Sequence, residues 1–239
     1  MTQLLVIAKE PIPGQVKTRL CPPCTGGQAA RLAAAALEDT LHTVAAARLP
    51  NPVLALQGLP GPWLPPGFTV IPQRGRGLDE RLAAAFTDAH GLHAAPIVLI
   101  GMDTPQLTPA LLDAAAEALT RHDAVYGPAA DGGFWLLGLR RPDPALLLGV
   151  PMSQADTGSA QMRRLREAGL STALMPELRD VDTYADALHV AAQAPGTRFA
   201  ATLDAVRVSM ATSPGTSTQF GTRPSTSGHS VSSQTSHSS

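Results

Sequence analysis

The sequence has few aromatic residues, little charge and no long apolar run. Aromatic side chains make up 4% of its 239 residues and charged side chains 15%, and the formal net charge is −1. A chain so close to neutrality has no basic surface of the kind that binds nucleic acid, so we expect no nucleic-acid partner. No apolar run approaches the roughly 20 residues that a spanning helix needs, and we therefore expect no membrane association.

The N-terminus does not read as a secretion signal. The apolar run at residues 4–8 is too short for the core of a signal peptide, and no basic flank precedes it. We therefore expect a cytoplasmic protein. With 44% hydrophobic residues, the composition is typical of soluble globular proteins, and the length is sufficient for one substantial core.

Cysteine is scarce, since the only two cysteines, Cys21 and Cys24, form one CPPC motif. A C-x-x-C motif can be a redox pair or half of a zinc site, but there is no second pair to complete a cysteine-rich zinc site. A thioredoxin-type pair opens a helix directly after a strand, whereas this pair lies more than ten residues beyond the first apolar run. The pattern disfavours both roles, and the role of the pair stays open.

Short apolar runs alternate regularly with helical patterns along the chain. The apolar runs predict strands at residues 4–8, 53–56, 69–71, 96–100, 124–126, 134–139 and 172–175. Apolar spacing and capping residues predict helices at residues 28–47, after Gly26 and Gly27, and at residues 78–89, 109–121, 159–168 and 184–193. The alternation is typical of an α/β fold with a mostly parallel sheet covered on both faces, in which residues 126–139 form an irregular or antiparallel insertion.

The composition changes near the C-terminus. Residues 208–239 consist almost wholly of Ser, Thr, Gly, Pro, Gln and His, which cannot bury a core. We therefore expect one domain over residues 1–207, followed by a disordered tail over residues 208–239.

The loop after the first predicted strand, residues 9–20 with the sequence KEPIPGQVKTRL, carries the most concentrated positive charge. Two prolines and Gly14 stiffen and turn this loop, and Lys9, Lys17 and Arg19 fall within eleven residues. A stiff cationic loop at the carboxyl end of a strand is suited to binding a phosphate group. The same cations could be ordinary solvated charges of a surface loop, and the loop is not a Walker motif.

A second candidate anion site and three carboxylate positions follow along the chain. Residues 73–77, QRGRG, turn into a helix whose N-terminal amides could bind an anion. Asp103 stands just past the central strand, where a carboxylate could hold a divalent cation bound to a diphosphate. Asp131 could contact a ligand, and Asp180 or Asp182 could complete a metal site. Each aspartate also has a plain structural reading, as a turn cap, a hairpin turn or a helix N-cap.

Four motifs in this order and spacing, KEPIPGQVKTRL, GMDTPQL, GPAADGGFWLLGL and DVDTYADAL, resemble the small bacterial glycosyltransferase-like family labelled arsenosugar-biosynthesis-type. The resemblance covers about residues 4–192. It implies the three-layer α/β/α GT-A fold of the nucleotide-diphospho-sugar transferases, with a mostly parallel central sheet. The first loop is also similar to that of 2-phospho-lactate and molybdenum-cofactor guanylyltransferases.

The resemblance also implies roles for individual residues. It places a nucleotide site at the first loop, which contains Lys9 and Gly14, with Lys17 and Arg19 near the phosphates. It gives Asp103 the place of the GT-A metal-binding aspartate and Asp182 the place of a second metal contact, and the cation would be Mg²⁺ or Mn²⁺. This chain has a single aspartate where many GT-A enzymes have Asp-x-Asp, which leaves metal dependence open.

Two further positions concern the acceptor. Asp131 belongs to the DGG of the family motif, and we expect it to contact the acceptor beside a catalytic Asp103. Met152 stands where the family often has tryptophan.

The leading hypothesis is transfer of a sugar from a nucleotide-diphospho-sugar to a small-molecule acceptor. One alternative is a guanylyltransferase-like nucleotidyltransferase that takes a nucleoside triphosphate and a small phosphorylated substrate. A second alternative is a catalytically inactive nucleotide-binding module, and a third is a redox protein that uses the CPPC pair. The sequence leaves the base, the sugar, the acceptor, the general base and the oligomeric state undetermined.

Overall fold

Seven strands form one mixed sheet in the computed structural model, which describes residues 1–212. The strands are β1 (Gln3–Lys9), β2 (Val53–Gln57), β3 (Thr69–Pro72), β4 (Ile97–Ile100), β5 (Ala124–Pro128), β6 (Phe134–Leu139) and β7 (Thr172–Leu174). Their spatial order is β3-β2-β1-β4-β6-β5-β7, and every pairing is parallel except those of β6 with β4 and β5. Strands covered on both faces read as continuous apolar runs, as in β4, whose four residues are all buried.

The helices are α1 (Gly26–Ala46), α2 (Leu78–Leu92), α3 (Pro109–Arg121), α4 (Thr157–Glu167), α5 (Tyr184–Gln193) and α6 (Arg198–Thr212). Capping side chains define three of the starts. Thr25 and Thr183 form capping boxes at α1 and α5, and Thr108 precedes the N-terminal proline of α3. No helix within residues 1–212 is long and apolar enough to cross a bilayer.

The sheet lies between two helical layers because successive strand residues point to opposite faces. Leu4 of β1 joins a cluster with Leu37 of α1 and Leu112 of α3. Its neighbour Leu5 joins the cluster on the other face, with Phe86 of α2. The predicted α/β/α architecture and the antiparallel insertion are therefore confirmed, and all the predicted strands are present.

Helix α6 is a correction to the sequence-based expectation. The predicted disordered tail begins at residue 208, but residues 208–212 form the end of α6. The carboxylate of Asp39 on α1 accepts hydrogen bonds from the backbone N–H groups of Arg198 and Phe199, at 3.1 and 2.8 Å, and so caps the start of α6. Buried Leu203 and Val206 then pack in a cluster with α1 and α5. The rest of the expected tail lies outside the described residues.

Candidate nucleotide site

A cleft of about 790 Å³ opens at the carboxyl ends of β1 and β4. It is lined by the segments that follow β1, β3 and β4, by the hairpin between β5 and β6, and by residues 152–157 and 180–182. In open α/β sheets ligands bind at the carboxyl ends of the strands, so the fold places the cleft where a substrate site is expected.

Lys17 lies at the centre of this cleft. Its backbone adopts a left-handed conformation, with φ of 50°, just before the short 3-10 helix Thr18–Leu20. The side chain is 9% exposed, and its Nζ lies 2.9 Å from Oδ1 of Asp103 and 3.0 Å from Oδ1 of Asp182. Burial lowers the pKa of Lys17, but the two carboxylates together outweigh burial and raise the pKa above its ordinary value. Lys17 is therefore a charged group held between two aspartates.

The backbone joins the two aspartates of this ion-pair cluster. The backbone N–H of Val181 donates to the carbonyl oxygen of Asp103 at 2.9 Å, so the segment before α5 is tied to the loop after β4. Arg19 reaches the other oxygen of Asp182 at 3.3 Å, with a side chain that is 72% exposed. Side chains that are 163 residues apart in sequence thus meet at one edge of the sheet.

Asp180, which the sequence offered only as an alternative to Asp182 for a metal contact, is a functional candidate in its own right. It lines the cleft, and its Oδ1 is buried without a hydrogen-bond partner among the described residues. Burial, followed by the charges of Asp103 and Asp131, raises its pKa to about 7. Its i,i+2 spacing from Asp182 was the available signal, because residues two apart share a side in an extended segment.

Two further cations, Arg76 and Arg81, line the cleft from the start of α2. Arg81 donates to the Gln57 side chain at 2.6 Å and to the carbonyl oxygen of Gly75 at 3.2 Å, which fixes its guanidinium beside the end of β2. The sequence pointed to the amides of the QRGRG turn. The structure adds these two side chains to the candidate anion site.

Asp131 stands in the hairpin between β5 and β6 and also lines the cleft. Its Oδ1 accepts a hydrogen bond from the N–H of Gly133 at 2.9 Å. The carbonyl oxygen of Gly132 accepts from the N–H of Gly158 at 2.8 Å, so the hairpin is docked on the first turn of α4. Gly132 has φ of +90°, and a Cβ there would overlap the carbonyl oxygen of Ala155, so the position requires glycine.

The cleft brings together six of the seven residues to which the family resemblance gave a role: Lys9, Lys17, Arg19, Asp103, Asp131 and Asp182. Gly14 is not among the lining residues. Its backbone nitrogen lies 3.3 Å from the position that a Cβ on Gly26 would take, so Gly14 packs against the start of α1. Its contact with a phosphate stays a prediction, which this placement does not favour.

The CPPC pair lies beside the loop and not in the cleft lining. Cys24 is buried among residues of α1, α5 and α6. Burial, followed by the proximity of Cys21, raises the pKa of the Cys24 thiol. Reactive thiols have a lowered pKa, so this environment favours a packing role for Cys24.

The donor set around Lys17 fits a hard divalent cation. Within residues 1–212 no group of three or more His, Cys, Asp and Glu side chains has the arrangement of a ready metal site. Mg²⁺, however, is often held by one or two carboxylates together with phosphate oxygens. Asp103 and Asp182 converge on Nζ of Lys17, which already places one positive charge between them, and the unpartnered oxygen of Asp180 lies in the same cleft.

Fold and site define the class: this is the α/β architecture of the nucleotide-diphospho-sugar transferases and cytidylyltransferases, with its cleft at the ends of β1 and β4. The chain belongs to the DUF2064 family, described as an uncharacterized protein conserved in bacteria, whose model matches residues 29–154. Its finer resemblance to the arsenosugar-biosynthesis-type family stays a prediction. Among proteins of curated function, none matches the sequence.

Solved structures support the same class. The chain is 27% identical, with a TM-score of 0.79, to a Desulfovibrio desulfuricans protein provisionally assigned as a nucleotide-diphospho-sugar transferase, over 88% of this chain and 96% of that one. It is 18% identical, with a TM-score of 0.51, to 2-C-methyl-D-erythritol 4-phosphate cytidylyltransferase from Thermus thermophilus, over 82% and 100%. It is 13% identical, with a TM-score of 0.50, to CMP:2-keto-3-deoxy-manno-octonic acid synthetase complexed with CTP, over 88% and 99%. The last two comparisons concern the fold alone.

Proposed function

We propose that the protein transfers a sugar from a nucleotide-diphospho-sugar donor to a small-molecule acceptor. The observation that carries the proposal is the convergence of Lys17, Asp103 and Asp182 at the carboxyl ends of β1 and β4, in a cleft with four further cations. The provisional assignment of the Desulfovibrio desulfuricans protein as a nucleotide-diphospho-sugar transferase supports this choice over nucleotidyl transfer.

In the proposed reaction the acceptor oxygen forms a bond to C1 of the sugar. The bond between C1 and the diphosphate oxygen breaks, and its electron pair leaves with the nucleoside diphosphate. Lys17 and Arg19 stabilise the negative charge that develops on the leaving group, because fixed cations in a cleft need no reorganisation during the reaction. Asp131, which forms no ion pair among the described residues, takes the proton of the acceptor hydroxyl.

A divalent cation fits the same site. Asp103 and Asp182 would hold it, with Asp180 close by, and the cation would supply further positive charge for the diphosphate. With such a cation bound, the cationic side chains of the cleft would keep their roles. Lys17 and Arg19 bind phosphate, and Lys9, Arg76 and Arg81 extend the positive wall for the rest of the donor.

The test is a thermal-shift panel of nucleoside triphosphates and nucleotide sugars, each with and without Mg²⁺ or Mn²⁺. A ligand that binds only the folded state raises the melting temperature, so a shift with one nucleotide sugar would support the proposal and identify the donor. The shift should disappear in Lys17→Met and persist in Arg163→Met, a control at an exposed position outside the cleft.

Two results would contradict the proposal. A shift confined to triphosphates, with release of pyrophosphate on addition of substrate, would indicate nucleotidyl transfer. A shift with a nucleotide sugar that is never consumed, whatever the acceptor, would indicate a binding module without turnover.

A further inference from the structure

The cations and the anions that line the cleft come from different segments, and the two sets meet where Lys17 and Arg19 pair with Asp103 and Asp182. The cations come from the end of β1 and the loop after it, and from the segment before α2 and the first turn of that helix; they are Lys9, Lys17, Arg19, Arg76 and Arg81. The anions come from the loop after β4, from the hairpin between β5 and β6 and from the segment before α5, and they are Asp103, Asp131, Asp180 and Asp182. Because β4, β6 and β5 follow β1 in the sheet, the cleft has a cationic half and an acidic half.

Two of the four carboxyl groups in the acidic half have no ion-pair partner among the described residues. Lys17 compensates Asp103 and Asp182 through the two ion pairs described above. Asp131 and Asp180 form no ion pair with any residue that the structure describes. No Lys, Arg or His from β4 onward lines the cleft within the described range. A group bound at this end therefore faces carboxylates that have no cation of their own.

Unpartnered polar atoms mark the same half as a ligand site. Thr104 is 1% exposed and lines the cleft, and its Oγ1 has no hydrogen-bond partner among the described residues. The Oδ1 of Asp180 is buried and unpartnered in the same way. A buried polar atom without a partner is costly, so such atoms in a cleft are explained when a ligand completes their bonds. The Thr104 hydroxyl can donate or accept, and an ionised carboxylate oxygen accepts, so a ligand group that donates can complete the bonds of both atoms.

Apolar walls complete the acidic half. Phe134 and Met152 line the cleft and are only partly buried, whereas Trp135 is 2% exposed and is fixed in the core by a hydrogen bond from its Nε1 to the carbonyl oxygen of Pro176 at 3.0 Å. Aromatic and apolar side chains provide a surface for the carbon skeleton of a small molecule, while a few polar groups fix its orientation.

From these observations we infer that the acidic half binds an acceptor that is not anionic, a neutral polyhydroxylated or amine-bearing small molecule, and that it rejects phosphorylated acceptors. The assignment of this half to the acceptor rests on the proposed function. A phosphate group placed there would face the carboxylate of Asp131, which has no ion-pair partner among the described residues, and like charges brought together oppose binding. Hydroxyl and ammonium groups would instead donate to the carboxylates and to the Asp180 oxygen.

The test uses the full chain with saturating pyrophosphate, which fills the cationic half. Saturation-transfer NMR then measures binding of three matched probes: glucose, glucosamine and glucose 6-phosphate. We expect glucose and glucosamine to bind, and glucose 6-phosphate to bind about tenfold more weakly or not at all. Equal or tighter binding of glucose 6-phosphate would overturn the inference. Lack of binding by all three would overturn it as well, because this half would then not be a subsite for small molecules.

Charge reversal at an exposed position gives a second measurement. Asp131→Lys should invert the preference so that glucose 6-phosphate binds better than glucosamine, whereas Glu167→Lys, an exposed change outside the cleft, should leave it unchanged. An unaltered preference in Asp131→Lys would contradict the inference.

A different measurement, the thermal-shift panel of nucleotides, tests the proposed function separately from this inference. If no nucleotide shifts the melting temperature while glucosamine still binds, the proposed nucleotide-sugar donor is rejected, and the inference that the acidic half binds a non-anionic molecule is retained. If nucleotide sugars bind while glucose 6-phosphate is the preferred probe, the inference about the acidic half is rejected and the proposed nucleotide-sugar donor is retained.

Discussion

At the scale of single residues, Lys17 combines burial with full charge. A buried ammonium ion normally loses its proton or finds carboxylates, and Lys17 has two of them within 3.0 Å. The ammonium in turn reduces the electrostatic repulsion between Asp103 and Asp182 and between these residues and Asp180. One cation therefore stabilises the acidic part of the cleft.

Replacement of this residue by Lys17→Met should therefore destabilise the protein. We expect a loss of about 1–3 kcal/mol, below the full cost of breaking a buried pair because both carboxylates are about one-third exposed. Urea unfolding at neutral pH measures the change. Mn²⁺ should restore more stability to the variant than to the wild type, since the cation can take the place of the ammonium. A variant as stable as the wild type in the presence of a chelator would show that the aspartates do not need Lys17.

At the scale of elements, short polar contacts at the ends of helices and hairpins align the cleft. Helix α5 starts at a capping box in which Thr183 and Asp186 bond each other's backbone, and this start fixes the segment that carries Asp180 and Asp182. The hairpin between β5 and β6 is fixed in the same manner, by its docking on α4 through Gly132.

The cap of α5 leads to a pH-dependent prediction. Burial raises the pKa of Asp186, but hydrogen bonds from Thr183 and the pairing with Arg179 outweigh burial and hold the pKa below 3.8. A lowered pKa stabilises the fold above the unfolded value and loses this contribution as the pH falls through the folded value. Asp186→Ala should cost about 1 kcal/mol from pH 5 to 8, and the difference should narrow below about pH 4. Urea unfolding over this pH range measures the difference in stability between the wild type and the variant. A difference that widens in acid would contradict a lowered pKa for Asp186.

Gly132 in the hairpin has a matched control in Gly149, which lies outside the hairpin. Gly132 and Gly149 both have positive φ, at +90° and +75°, but a Cβ would overlap the Ala155 carbonyl oxygen at Gly132 and meet open space at Gly149. Both alanine variants carry the backbone penalty, and only Gly132→Ala must also displace the hairpin from α4. We expect Gly132→Ala to lose at least about 2 kcal/mol more than Gly149→Ala in chemical unfolding. Similar losses would mean that residues 155 and 132 separate easily.

At the scale of the whole molecule, the sequence predicts what depends on local pattern and misses what depends on distant contacts. Apolar runs gave the strands, and the DGG between two of them gave the antiparallel insertion, because those signals lie within a few residues of the elements. Helix α6 was not predicted, because Asp39, which caps its start, lies 159 residues earlier in the sequence. Arg81 of α2 was not predicted, because its position in the cleft depends on a hydrogen bond to Gln57 at the end of β2. Asp180 could be ranked only once the fold had shown it unpartnered.

The separation of charge across the cleft is also a property of the whole molecule, and it leads to the last prediction. The net charge of −1 gives no reason to expect anion binding, yet five cations line one half of the cleft. Attraction between exposed charges is screened by salt, so the affinity of the wild type for pyrophosphate should fall between about 50 and 200 mM NaCl, roughly the range over which the Debye length approaches the spacing of neighbouring charges.

Arg81→Met should weaken pyrophosphate binding about tenfold at low salt and reduce the salt dependence, because the variant removes one fixed cation and no part of the core. Calorimetric titration measures both effects, and Arg163→Met, which removes an exposed cation outside the cleft, is the control. Equal affinities for the wild type and both variants would remove Arg81 from the anion site. Equal losses in both variants would mean that net charge, and not the arrangement of cations in the cleft, attracts the ligand.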